Sequence, residues 1–576
     1  MTAGDEGRGG GAPPGPPRPE TPPDHGDHGG NDTEPTGPLP PGPAMTRTHE
    51  IAAGLTRHRW TLLFGAAALL LVVLHLAGLE QAPPGLYSDE ANAGYDGWAV
   101  AHFGIDQHGH PWPLLFSEAI GQYRDPVYVY AVAALTRLLP LTPAVERLPA
   151  ALFGLAVCAM ASLLAWHLSR DRSVTLVTLL TAGLLPWLLV ESRVGFSVIA
   201  MVALLMLTLY AVARGLHGSI GWWLLAGVGL GASALAYPVG RLFAGLLTVV
   251  IVVAATPTRW PRRWRSVAVM TVPVALTYVL LYGWSASHPG VLTLRYGVLT
   301  INWDTPGLPT LAARFVGNYV QYLSVPFLLT HGDSNLRQNV GFGGMLAIAS
   351  APALLIGIAA SLQRYREPLP RILLLGLLAA PVPAALTADG TPHALRAAAM
   401  LPFLLGLMIY GWRTILPALA RRRTWAALLA GFAALEVGSF LFTLFVVWPP
   451  QALVWFDTGE GAALVRAHAM AHGHPVLISS SLDDPTPQVL FWLRPDPNRY
   501  ARQGLSVENM AIVDPTTLAT TAAPGDLMVL APGDVPPPGS QLVYEASVTV
   551  TAITNQAGSP SQQPVVLVEV YRRVHR

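Results

Sequence analysis

Lysine is absent: all 35 basic residues among the 576 are arginine. That excludes chemistry built on an amine side chain, including a phosphate-loop lysine or a Schiff base. Cysteine is almost absent. Cys158 stands alone inside an apolar run, so neither an internal disulfide nor a cysteine-based zinc site is available, and it reads as a packed thiol. Charge is scarce too. Only 12% of the residues are charged, about half the share of a soluble protein. Against this, 52% are apolar and mean hydropathy is +0.42. The net charge of +1 gives no basic excess that would point to nucleic acid. What remains is a polytopic membrane protein.

Residues 1–46 hold 12 Pro and 11 Gly. Almost nothing there can be buried, so residues 1–50 are expected to be a disordered cytoplasmic tail. His25 and His28 within it make a poor metal site. Eleven apolar runs follow, at 60–79, 147–168, 174–190, 196–214, 220–237, 239–255, 264–284, 344–362, 371–388, 395–412 and 424–448. Each is near the roughly 20 residues that cross a bilayer as a helix. The first reads as an uncleaved anchor.

With the N-terminus inside, Arg170, Arg172, Arg214, Arg259, Arg262, Arg263, Arg265, Arg364, Arg366, Arg371, Arg413 and Arg421 all fall on inner loops. The expected location is therefore the cell membrane, with a multi-pass domain at 55–448. Three long pieces then lie outside: 80–146, 285–343 and a tail at 449–576. In the first, 91–103 and 126–139 read as short amphipathic helices, and Trp98, Trp112, Tyr128 and Tyr130 suit the headgroup layer. The tail has a helical stretch at 459–472. Strand-like runs follow at 476–480, 527–530, 541–544 and 565–571, separated by Pro- and Asp-rich turns. It reads as a small extracytoplasmic α/β domain.

Several polar groups gather on the outer side. Asp89-Glu90 follows the first run closely. Adjacent carboxylates at a membrane mouth are costly unless paired or solvated. One is placed to act as a general base on a hydroxyl; the plainer reading is an ordinary solvated loop. Glu191-Ser-Arg193 sits in a short outer connection, where an arginine either grips a phosphate or snorkels to lipid. His331-Gly-Asp333-Ser-Asn-Leu-Arg337 and Pro392-His393-Ala-Leu-Arg396 each set a histidine beside an arginine on that side. Together these groups describe a site for a phosphorylated substrate with a base next to it. Gly227-Val-Gly229-Leu-Gly231 lies inside an apolar run, where small residues let helices approach; it follows no strand and is not a nucleotide loop. Glu436 lies inside the last run as a polar contact whose partner the sequence does not name.

With these residues in view, the stretch from about 55 to 448 resembles the GT-C superfamily of polyprenyl-phosphate-sugar-dependent glycosyltransferases. It is most similar to the family 39 type and the related aminoarabinose transferases. The marks are Asp89-Glu90 after the first helix, Tyr123-Arg-Asp125-Pro-Val-Tyr-Val-Tyr in the same loop, Glu191-Ser-Arg193-Val-Gly-Phe196, the Gly-Asp-x-Asn-x-Arg stretch at 332–337, and Pro392-His-Ala-Leu-Arg396.

The resemblance implies transfer of a sugar from a polyprenyl phosphate to a hydroxyl acceptor at the outer leaflet, with inversion. It implies Asp89 as base, with Glu90 orienting the acceptor or tuning charge. Arg193, then Arg396, His393 and Arg337, would hold the donor phosphate. Tyr123, Asp125, His331 and Asp333 would support them. Some relatives use a divalent metal near the first-loop acid; Asp89, Glu90 and Asp125 are the side chains that would hold one here. The expected partners are the lipid-linked sugar, a lipid, glycan or protein hydroxyl, and membrane lipids, with no nucleic acid. The competing expectations are a multi-pass transporter or lipid flippase, and an envelope binding scaffold. Transporters keep charges near mid-membrane and show matching halves, whereas these charges cluster at one face.

Overall fold

The computed structural model describes residues 43–119, 122–255, 260–289, 292, 307–387, 390–552 and 561–574. The Pro/Gly-rich stretch before Pro43 lies outside them.

The protein is a helical multi-span membrane protein with a C-terminal mixed β-sheet region. Among the described residues, eight helices are long and apolar enough to cross a membrane: His58–Leu76, Pro143–Ser169, Val198–Gly215, Pro238–Ala255, Trp264–Ser287, Pro368–Ala385, Ala394–Arg421 and Arg423–Gln451. With shorter apolar helices they account for the eleven expected runs. The other three runs are helical but shorter. Pro186 splits the third run into Arg172–Gly183 and Pro186–Glu191, because proline lacks the amide that a continuing helix needs but suits the first position of a new one. The fifth gives Ile220–Ala234, ending before Pro238. The eighth gives Ala351–Gln363 behind the turn Ile348–Ser350. The second outer piece contributes an unexpected helix, Leu308–Tyr322.

Close helix contact at Gly227 is as the sequence suggests. A Cβ there would lie 2.2 Å from the Met270 carbonyl, so only glycine lets the two helices touch. Glu436 finds its partner in backbone. Its two carboxylate oxygens accept the amides of Ile348 and Ala349, at 2.6 and 2.8 Å. These are the unpaired donors that open the next helix.

Two helices of the first outer piece, Ser88–Phe103 and Pro126–Thr136, sit above the bundle with a short hairpin, Ser117–Ala119 and Gln122–Arg124. They are more buried than a headgroup-facing pair would be. Tyr128 is 1% exposed, and its hydroxyl donates to the Glu146 carbonyl at 2.8 Å.

The C-terminal sheet has the order Met510–Val513, Val476–Ser479, Leu527–Leu530, Ser561–Arg573, Ser540–Ala552. The first three strands run parallel and the last two antiparallel. Ile478, Val529 and Val570 pack against the helix Glu460–Ala471 through Ala463, Leu464 and Ala467. The expected strands and helix all form. Met510–Val513 and the helix Pro485–Leu493 were not foreseen.

That last helix fixes the C-terminal region to the rest. Gly94 lies under Phe491, which a Cβ would meet at 2.6 Å. The Tyr95 hydroxyl donates to the Pro495 carbonyl at 2.9 Å. Residues Trp60–Arg576 accordingly form one compact unit.

Candidate functional site

Helix geometry separates the two adjacent acids. Asp89 and Glu90 both lie in the first turn of Ser88–Phe103, where an anion is favoured by the unpaired amides. Successive side chains point about 100° apart, so the pair cannot act as one.

Glu90 turns inward and is fully buried. Its two oxygens take the Arg147 guanidinium at 2.7 and 2.8 Å. They also accept the amides of Gly195 and Tyr87, at 2.7 and 3.0 Å. Arg147 donates further to the carbonyls of Leu79, Pro83 and Gly85. A buried ion pair holds only with this kind of full hydrogen bonding. Glu90 therefore anchors the 79–90 segment.

Asp89 turns outward and is 38% exposed. Arg124, at the end of the hairpin, grips it twice, from Nη2 to Oδ1 at 2.9 Å and from Nη1 to the Asp89 carbonyl at 3.1 Å. The hairpin is itself tied down by Ser117, whose hydroxyl donates to buried Asp96 at 2.9 Å. Burial pushes the Asp96 carboxyl up to about 7. Next along the chain, Asp125 pairs with Arg241 of the Pro238–Ala255 helix, and Arg241 lies 4.8 Å over the Phe116 ring.

Asp89, Tyr123, Arg124, Asp125, Tyr237 and Leu395 converge on a narrow cleft of about 60 Å³. This brings together three residues that the sequence singled out, namely Asp89, Tyr123 and Asp125. Arg193 lies close in sequence to cleft residues Gly195 and Phe196, but its guanidinium turns away. It donates to the carbonyls of Leu74, Ala77, Gly78 and Ala82, capping the C-terminal end of the Pro43–Leu76 helix, where a cation suits the unpaired carbonyls. Ser192 binds His75 Nδ1 at 2.8 Å.

Arg337 is also engaged elsewhere. It stacks on Tyr87 at 3.6 Å, donates to the Trp455 carbonyl at 2.6 Å and meets Asp483 at 3.1 Å. His331 is exposed, with Thr330 as neighbour at 2.8 Å.

Asp333 and the 392–396 stretch do meet. Asp333 accepts the Ala394 amide at 2.7 Å and lies 3.9 Å from His393 Nδ1. Burial raises its carboxyl, against the pull of the Ala394 and Asn335 amides and of Arg396. Leu395, between His393 and Arg396 in the chain, lines the cleft; His393, Arg396 and Asp333 are not among its lining residues.

The carboxylates named for a divalent metal do not suit one. Each of Asp89, Glu90 and Asp125 is paired with its own arginine. Among the described residues, no three His, Cys, Asp or Glu side chains group closely enough to hold an ion.

Sequence reasoning missed Arg147, Arg241, Tyr237 and Arg124's grip on Asp89. Arg241 carried a usable signal, since a charge inside an apolar run is costly unless it has a partner. Arg147 carried none, because it looks like any cation at a helix start.

No protein-family profile and no curated sequence matches the chain. Solved structures do. ArnT from Cupriavidus metallidurans bound to undecaprenyl phosphate matches with a TM-score of 0.54 at 13% identity, covering 89% of this chain and 98% of that one. The same protein in the apo state matches with a TM-score of 0.51 at 15% identity, covering 83% and 94%. The chain therefore has a GT-C-like fold along nearly all its described length.

Proposed function

We propose that this protein is a membrane glycosyltransferase. It moves a hexose or pentose from a polyprenyl-phosphate donor to a hydroxyl acceptor at the outer face of the membrane, with inversion. The observation that carries the reading is the cleft between Asp89–Arg124 and Asp125–Arg241, in a fold shared with a protein seen bound to undecaprenyl phosphate.

In this reading Asp89 takes the proton from the acceptor hydroxyl as its oxygen attacks the anomeric carbon. The bond from that carbon to the phosphate oxygen breaks, and polyprenyl phosphate leaves as an anion. Arg124 holds the carboxylate of Asp89 on the cleft side. Arg124 lines the cleft and Arg241 pairs with cleft residue Asp125; in this reading they are the fixed cations that lower the barrier as the leaving charge develops. Arg396 and His393, on either side of cleft residue Leu395 in the chain, support the same charge. Arg193 and Arg337 hold the scaffold. The N-terminus is cytoplasmic, and the cleft and C-terminal region are extracytoplasmic.

The test is loss of label from the lipid phase when the purified protein, in phospholipid nanodiscs, meets a panel of radiolabelled polyprenyl-phosphate pentoses and hexoses together with a cell-envelope extract that supplies lipid, glycan and protein hydroxyl acceptors. Loss with one donor supports the reading and names the sugar. No loss with any donor, from protein that unfolds cooperatively on heating, removes it.

A further inference from the structure

Beside the narrow cleft lies a second, larger cavity of about 490 Å³, within the roughly 300–1,000 Å³ of ordinary ligand pockets. Tyr123 borders both, so the cavity opens next to the residue that precedes Arg124 and its Asp89 partner.

Its walls combine aromatic rings with aliphatic side chains, among them Leu114, Leu115 and Leu280. Trp284, at the end of a membrane helix, packs with Phe116 at 5.0 Å and with Tyr123 at 5.5 Å, and stacks on His288 at 3.9 Å. Across from them stands Trp112. It is 61% exposed and has a φ of +43°. A bulky residue in the left-handed region is strained and persists only when its surroundings enforce it. Here the Trp112 amide donates to the Gly104 carbonyl at 2.8 Å. Buried Asp106 accepts the amides of His108 and His110, at 2.9 Å each. The loop thus holds the indole beside Gly104, where a Cβ would lie 3.2 Å from it, with the rest of the side chain exposed at the cavity.

The rim is polar. Glu118 is 35% exposed and 3.8 Å from His110 Nδ1.

These groups select among occupants. A carboxylate on the rim repels a phosphate. A prenyl chain would cover Glu118 and His110 without hydrogen bonds, which is costly. A neutral sugar offers both what the walls want and what the rim wants: an apolar ring face for the aromatic side chains and hydroxyls for the carboxylate and imidazole. We propose that the cavity between Trp112 and Trp284 is the acceptor subsite and takes a neutral carbohydrate ring, so that the acceptor is a glycan. The acceptor role rests on the transferase reading; the binding of sugar does not.

Saturation-transfer NMR tests it, with the full-length protein in phospholipid nanodiscs free of glycoside detergent. The probes are neutral gluco-, galacto-, manno- and arabino-trisaccharides. At least one should receive saturation. Trp112→Ala and Glu118→Gln should each weaken its binding about tenfold, the loss expected when a buried contact or a hydrogen bond is removed. Glu118→Gln keeps the shape of the site, so the test survives if Trp112→Ala does not fold. Farnesyl phosphate should not displace the sugar. Saturation of none of the four, unchanged binding in Glu118→Gln, or displacement by farnesyl phosphate overturns the assignment. Sugar binding without any transfer activity would instead count against the transferase reading and leave the carbohydrate site in place.

Discussion

Ser88 and Asp457 are 369 positions apart in the chain, yet the amide and the hydroxyl of Ser88 both donate to one carboxylate oxygen of Asp457, at 3.0 Å each. The Ser88 hydroxyl also reaches the Asp483 carbonyl, and Gln488 reaches the Leu86 carbonyl. Ser88 immediately precedes Asp89. The C-terminal region therefore holds the turn that carries the proposed base. Asp457→Ala leaves the buried Ser88 amide unmet, at about 1–3 kcal/mol, while the Ser88 hydroxyl keeps the Asp483 carbonyl. It should also lower kcat, by up to the roughly 10²-fold that a 1 Å misplacement costs. Thermal unfolding and transfer rate measured side by side check this. A stable, fully active variant would show that the contact is incidental.

The same junction should respond to pH. Burial, with Asp483 close by, pushes the Asp457 carboxyl up to about 7, and burial beside Asp457 and Asp483 pushes Glu460 up to about 9. Folded values above the unfolded ones mean that the folded state binds more protons. The stabilisation is complete below about pH 4 and is lost as pH rises through 7 for Asp457 and 9 for Glu460. The melting temperature should fall between pH 6 and 9. An Asp457→Asn, Glu460→Gln double variant should flatten that fall, and an unchanged slope in the double variant would place the titration elsewhere.

Arg193 separates scaffold from substrate binding. Arg193→Lys cannot reach four carbonyls with one ammonium, so it should lower thermal stability markedly and leave the donor KM of the surviving folded fraction near that of the wild type. A well-folded variant with a donor KM raised tenfold or more would return Arg193 to the phosphate.

Glu90→Gln leaves Arg147 charged and buried without its counter-ion. A cost of about 3–5 kcal/mol is expected, and adding Arg147→Met should recover part of it. Denaturant unfolding of the two variants measures this. An unaffected Glu90→Gln would show that the pair is not what holds the segment.

Much of the fold was legible because bilayer crossing writes itself as length and hydropathy. Every expected run is helical, and the strands at 476, 527, 541 and 565 form. Which runs form long helices and which form shorter or broken ones was not legible. A proline such as Pro186 breaks a helix without breaking the apolar run around it. The site was legible as a set of residues but not as a division of labour. Asp89 and Glu90 look alike in sequence, and only the 100° step of a helix sends one to the cleft and the other to Arg147. The carbonyl contacts of Arg193 were not legible because they come from a turn more than a hundred residues earlier.

Orientation has its own check. Cys158 is buried, and Ser480 is exposed. Ser480→Cys should label with an impermeant thiol reagent on intact cells. Labelling only after lysis would invert the topology.

The central claim is that Asp89 deprotonates the acceptor as a sugar leaves its lipid phosphate. The most direct measurement is the transfer rate of Asp89→Asn beside wild type, using the lipid donor that the wild type consumes, with the anomeric configuration of the product read by NMR. The account predicts a loss of about 10²–10⁴-fold, the usual worth of a general base, from a folded variant, and an inverted product from the wild type. A variant that transfers at the wild-type rate, or a retained configuration, would contradict it.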